Sequence, residues 1–265
     1  MNEITNGNHH SGIVEYINKK IQEAYDRGEI VETPFAKFHF QYLSDPRLPE
    51  TEPVFQALKV VQLPDIIIRE TKAVMDDLRI KPPVNVRTRI PTPEDDAHIN
   101  RFKGISGKCI SETEYLYFID PTNTHLIETI KTWEAKAVVH HEMNHIARRQ
   151  AHRKGKTLLD GFISEGLAVY YERHWGGYIP KTEYRGELTE QQVKEEWQKA
   201  QQELFSKKYQ YEEWFHGKNQ IHPPSMGYII GSEIIEQYMK KHPKIPMSKL
   251  VRMSSRKILS KSGFT

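Results

Sequence analysis

The chain has 265 residues, with 38 Lys and Arg against 35 Asp and Glu, 37% apolar and 10% aromatic residues. That composition excludes a disordered chain, which would lack aromatics and carry a large net charge, and no run approaches the ~20 apolar residues of a membrane helix. The single cysteine, Cys109, excludes an intramolecular disulfide framework and a cysteine-rich zinc module.

A polar stretch from Met1 to His10, without a hydrophobic signal region, predicts no export and a reducing, cytoplasmic location. The net charge of +3 names no partner. From Lys240 to Thr265 there are eight Lys and Arg and no acid. We read this as a solvated face, with a nucleic-acid or anionic-membrane patch as the alternative.

Taken in chain order, Ile13 to Arg27 alternates at helical spacing, with Gly28 as a stop. Asp65 to Leu78 predicts a second helix. Val84 to Ile90 alternates with β-branched residues and predicts a strand, Ile105 to Ile110 a second, and Tyr115 to Ile119 the clearest one, ended by Asp120-Pro121. A helix-rich half follows. Thr132 is placed to cap a helix running to about His152, and Asp160 a helix running to about His174. Thr189 with Gln192 forms a capping-box pattern for a helix ending near Phe205. Ser225 to Lys241 predicts another helix, stopped by Pro243, and two short helical turns close the chain. Strands first and helices later suggest α+β, not alternating βαβ units.

The chemistry concentrates in His141-Glu142-Met143-Asn144-His145. On a helix, positions four apart lie on one face, about 5–6 Å between Cβ atoms. Two imidazoles so placed can share one Zn²⁺ at ~2.0–2.1 Å. Glu142 directly follows the first imidazole, where its carboxylate can reach a water beside the ion without ligating the ion itself. Apolar flanks (Ala137, Val138, Val139, Ile146, Ala147) allow this helix to be buried. A catalytic zinc needs a third protein ligand. Glu165 is the candidate: it lies twenty residues beyond His145, amid Phe162, Ile163, Leu167 and Val169. A carboxylate in such surroundings needs a partner. A turn at Arg153-Lys154-Gly155-Lys156 would bring two antiparallel helices together, and Gly166 and Ala168 would let the second pack closely on the metal helix.

The pattern His-Glu-x-x-His, then Glu-Gly-x-Ala, resembles the gluzincin zinc metallopeptidases, of the thermolysin and M1 aminopeptidase type. Glu172 matches a second acid in the M1-like form of that helix. Gly227-Tyr228-Ile229-Ile230-Gly231 is similar to the Tyr-x-x-Gly segment that supplies a transition-state tyrosine in M1 relatives. The overall layout is most similar to a bacterial family of zinc-dependent proteases, over residues 60–265. The aminopeptidase pattern Gly-x-Met-Glu-Asn is absent, so exopeptidase action is not implied. A thermolysin-like Asp four residues after the glutamate ligand is also absent, since position 169 is Val. Glu172 or a backbone carbonyl would then orient an imidazole.

The resemblance implies a gluzincin-like α+β fold. A small mixed sheet in the N-terminal half would pack on a helical C-terminal half, with the zinc cleft between them. Residues 1–60 would form a helical segment of unknown role and 61–265 one compact metallopeptidase domain. It implies one Zn²⁺ per chain held by His141, His145 and Glu165, with Glu142 as general base and Tyr228 as oxyanion donor. Two glycines flanking Tyr228 in a helix suggest a close backbone approach there. His222, before Pro223-Pro224, is an auxiliary candidate for a second oxyanion donor. His140 points away around the helix and reads as packing, and Cys109 as a buried small hydrophobe. Tyr115 to Ile119 is either the edge strand on which a gluzincin pairs an extended substrate or an interior strand. The expected partner is a peptide or protein substrate cut by an endo- or oligopeptidase, with no specific nucleic acid and no membrane span. The alternative is a catalytically weak zinc protein that binds peptide or regulates.

Overall fold

The computed structural model describes residues 30–40, 62–91, 103–152, 157–175 and 188–264. The predicted helix at 13–27 and the turn at 153–156 lie outside these residues. The architecture is α+β, with a small mixed sheet early in the chain and a mostly helical second half. Two compact units divide inside one helix between Ala73 and Val74, again between Ile80 and Lys81, and between Val139 and His140.

The first unit is built on a five-stranded sheet. Its strands are β1 (Ile30–Glu32), β2 (Ala36–Phe40), β3 (Val84–Arg89), β4 (Ile105–Cys109) and β5 (Glu114–Ile119), in the order β1-β2-β3-β5-β4. The three inner strands run parallel and the two outer strands pair antiparallel. Helix α1 (Leu63–Leu78) lies in sequence between the parallel strands β2 and β3, as a parallel crossover requires. Alternation decides the faces. Phe38, Val86 and Tyr115 align across the sheet by register, as do Phe40, Thr88 and Tyr117, and all six are buried. The Tyr115 hydroxyl reaches Thr71 Oγ1 of α1 at 3.2 Å, and the Tyr117 hydroxyl donates to the Ala135 carbonyl at 3.3 Å. Burying these rings is thus compatible with satisfied hydroxyls.

Two features differ from the sequence reading here. Residues 30–40, expected within a helical segment, form β1 and β2. Tyr115 to Ile119 is bonded to β3 on one side and β4 on the other, so it is the interior strand of the two alternatives and has no free edge to offer an extended chain.

The helical half begins with α2 (Leu126–Lys131) and α3 (Glu134–His152). Thr132 does not cap α3. It is the C-cap of α2, and its hydroxyl donates to the Thr129 carbonyl and to Glu134. Helix α4 (Leu158–His174) is capped by Thr157, with Asp160 three positions into the helix as the reciprocal partner of a capping box. The predicted cap, Asp160, is therefore the other half of the box. Thr189 and Gln192 do form the predicted box, at the start of α5 (Glu190–Glu203). Then come α6 (Tyr211–His216), α7 (Met226–Lys241), α8 (Met247–Leu250) and α9 (Ser255–Ser262). Among the described residues no helix is long and apolar enough to cross a membrane.

Within the second unit, the long helices α4 and α7 pack backbone to backbone. A Cβ at Gly166 would sit 2.2 Å from the Gly231 carbonyl carbon and oxygen, and one at Gly231 would sit 2.0 Å from the Phe162 carbonyl oxygen. Gly166 thus serves contact with α7, not with the metal helix as the sequence suggested. A buried guanidinium fastens the end of the chain. Arg148 of α3 donates to the Val251 carbonyl at 2.9 Å, to the Met253 carbonyl, and to Ser255 Oγ at 2.9 Å. Ser255 donates in turn to Asp160 Oδ1 at 2.5 Å, which joins this network to the cap of α4. Burial lowers the Arg148 pKa to about 10, so it remains charged at neutral pH.

Gly231→Ala places a methyl group where another helix backbone already lies. Overpacking costs typically about 1–3 kcal/mol. The expected outcome is a lower midpoint of urea unfolding with an unchanged slope.

Candidate metal centre

Helix α3 carries His141, Glu142 and His145, all buried. The spacing of four puts both rings on one face, with centroids 4.8 Å apart. Helix α4 supplies Ser164, Glu165 and Glu172. This helix is buried on most sides, so Glu165 and Glu172 enter an apolar environment and must find partners there.

Glu165 Oε2 faces His141 Nε2 at 3.3 Å and His145 Nε2 at 3.2 Å. The candidate ligand atoms of the three residues all lie within 4.8 Å of one another. Among the described residues this is the one grouping of His, Cys, Asp and Glu that closes to such a size.

The outer atoms of the same side chains are also engaged. His141 Nδ1 lies 2.9 Å from Glu172 Oε2, and a carboxylate can only accept, so in the neutral ring Nδ1 carries the proton and Nε2 the lone pair. His145 Nδ1 lies 3.1 Å from Ser164 Oγ. Glu165 Oε1 accepts a hydrogen bond from the Tyr211 hydroxyl at 3.1 Å. Every ligand therefore presents one atom inward and has the other tied to a neighbour.

Electrostatics agree with the geometry. Burial opposes charge on His141, but the carboxylates of Glu172, Glu165 and Glu142 outweigh it and hold its pKa well above the imidazole range. Burial likewise opposes charge on Glu165, yet the facing imidazoles hold its pKa well below the usual carboxylate value. Burial, then the Glu165 carboxylate, push the Tyr211 hydroxyl well above its ordinary value, which keeps it a donor. The carboxylates of Glu165 and Glu172 against the two imidazoles concentrate negative charge that favours a cation.

The donor set fits zinc. Around a tetrahedral ion with bonds of ~2.0–2.1 Å, neighbouring ligand atoms are about 3.3–3.4 Å apart. The two Nε2–Oε2 separations are close to that edge length. Two imidazoles and one carboxylate also match the borderline character of Zn²⁺.

The remaining candidates fall as follows. Tyr228 on α7 is half-buried, with its ring centroid 6.3 Å from that of His141, and it lies beside Tyr211. The predicted close approach at its flanking glycines takes two forms. Gly231 meets the α4 backbone, and a Cβ at Gly227 would meet the Phe215 ring at 2.3 Å. His222 is buried in the helical unit: Nδ1 lies 2.6 Å from Glu196 Oε2, and the ring stacks on Trp214 at 3.6 Å. No hydrogen bond or ring contact among the described residues joins it to His141, His145 or Glu165. His140 packs edge-on against Tyr171 and Trp175. Cys109 is buried in β4 and donates to the Ser111 carbonyl at 3.2 Å.

Sequence reasoning missed Ser164 and Tyr211. Ser164 adjoins Glu165, and a hydroxyl beside a candidate ligand on an apolar helix is a signal that was available. Tyr211 lies forty-six residues beyond Glu165, and no spacing rule connects them.

The family model described as Predicted Zn-dependent protease (DUF2268) matches residues 65–260. Comparison with curated proteins and with solved structures gives no significant match. The matched span runs from α1 into α9 and includes every residue of the His-His-Glu cluster, and on that ground the chain belongs to the Predicted Zn-dependent protease (DUF2268) family.

Proposed function

We propose that the chain is a gluzincin-type zinc metallopeptidase that hydrolyses internal bonds of peptides or proteins, with one Zn²⁺ held by His141, His145 and Glu165. The observation that carries this reading is the convergence of two Nε2 atoms on one carboxylate oxygen, both N–O separations lying near a tetrahedral edge length and each ligand's other polar atom being engaged. Family membership supports the protease class.

A zinc ion bound there supplies Lewis acidity, which polarises a carbonyl and makes water a nucleophile near neutral pH. The chain's own residues do the rest. Glu142, buried next to His141 on α3, takes a proton as the water oxygen adds to the scissile carbonyl carbon. It returns that proton to the amine nitrogen as the C–N bond breaks, which leaves one carboxylic acid and one amine, and transfer of the remaining acid proton to the amine gives a carboxylate and an ammonium. Tyr228 donates its hydroxyl hydrogen to the developing oxyanion. Glu172 and Ser164 fix the orientation of the two rings. Lack of the Gly-x-Met-Glu-Asn anchor for a free amino terminus favours endo- or oligopeptidase action.

Purified wild-type protein is expected to carry about one zinc per chain by elemental analysis, and His145→Ala to carry none. Wild-type protein that stays free of zinc after dialysis against it would overturn the reading. Glu142→Ala is expected to keep its zinc and lose at least about 10²-fold in peptide hydrolysis. Unaltered turnover in that variant would remove Glu142 from the mechanism, and a zinc-loaded wild type inert on a peptide library would point to a binding or regulatory role. Glu172→Gln leaves the ring with a neutral partner. Its zinc affinity should fall about 10–100-fold in a chelator competition.

A further inference from the structure

Tyr211 of α6 reaches Glu165 of the cluster, and its geometry is specific. The ring is stacked on Phe215, with centroids 4.3 Å apart and planes 14° from parallel. This holds the half-buried ring in place. Its hydroxyl has one hydrogen, and that hydrogen goes to Glu165 Oε1 at 3.1 Å.

A carboxylate has two oxygens, and an ion facing it can bind one or both. In Glu165, Oε2 points at both imidazole Nε2 atoms while Oε1 is occupied by the tyrosine. We infer that Tyr211 is a positioning residue that restricts Glu165 to one-oxygen ligation, and so keeps the centre four-coordinate and selective for zinc over ions that prefer more oxygen ligands. Zinc and cobalt accept a tetrahedral N₂O set with one open position. Manganese prefers six-coordinate, oxygen-rich surroundings. With Oε1 released, Glu165 can close on the ion with both oxygens, which raises the coordination number and removes part of that discrimination. This inference rests on the zinc reading of the cluster.

The test is Tyr211→Phe, which keeps the stacked ring and removes only the oxygen. Wild-type and variant chains are loaded with Co²⁺, whose visible absorption is intense in four-coordinate and weak in five- or six-coordinate sites. The expected result is a weaker cobalt band in the variant, a zinc affinity lower by about tenfold, and a reduced preference for Zn²⁺ over Mn²⁺ in competition. Tyr228→Phe, which leaves the Tyr211 hydroxyl on Glu165, should leave the cobalt band as in wild type. The far-ultraviolet circular dichroism of each variant reports whether it has folded. Should Tyr211→Phe not fold, Tyr211→Trp, which also lacks the hydroxyl, is scored by the same band. A folded hydroxyl-free variant with the wild-type cobalt spectrum and metal preference would overturn the inference alone. A wild-type chain that takes up neither ion would overturn the zinc reading, and this inference with it.

Discussion

A carboxylate buried against two imidazole rings is the constraint around which the helical unit is arranged. Glu165 is charged where water is scarce, and isolated burial of a carboxylate is costly enough that an unpartnered one would take up a proton instead. It stays ionised because α3 presents two ring nitrogens to one oxygen and α6 presents a hydroxyl to the other. Each partner imposes a demand on its own element. The rings must be four residues apart on an unbroken helix. Tyr211 must be held by stacking on Phe215. Glu172, two turns after Glu165, must face the same ring from its other side. Excess negative charge then remains inside the cluster, and a divalent cation is the natural means of balancing it.

Much of this was legible because helices write their geometry into the sequence. The four-residue interval between His141 and His145 already places the two rings together, and an acid amid Phe162, Ile163 and Leu167 already requires a partner. The capping box at Thr189 and Gln192 is likewise a local chemical statement. What was not legible is of three kinds. The box at Thr157 and Asp160 is reciprocal, and composition alone does not say which member leaves the helical backbone conformation. Six-residue helices such as α2 and α6 are too short to display a period, and the three- and five-residue strands β1 and β2 give little more than one alternation. Tertiary partners separated by tens of residues, such as Tyr211 with Glu165, have no spacing signature.

Glycine illustrates the same boundary from the other side. Gly166 and Gly231 announced that some backbone must come close, since a glycine inside a helix lowers its stability. They did not announce which backbone. The metal helix was a reasonable partner for Gly166, yet the contact is with Gly231. The two glycines fill each other's requirement, and Gly166 serves α7 instead of α3.

That backbone contact acts as a ruler. Glu165 is the residue before Gly166 on α4, and Tyr228 lies three residues before Gly231 on α7. The spacing between the main chains that carry the carboxylate and the tyrosine is therefore set by backbone in van der Waals contact, with no side chain between the two helices at that point to adjust. Repacking elsewhere in the helical unit can change how firmly α4 and α7 are held, but it has little means of changing how far apart they sit. A site built this way tolerates variation in its surroundings and very little at the point of contact, and damage at Gly231 would appear as a fault of the chemistry although no atom of that residue takes part in it.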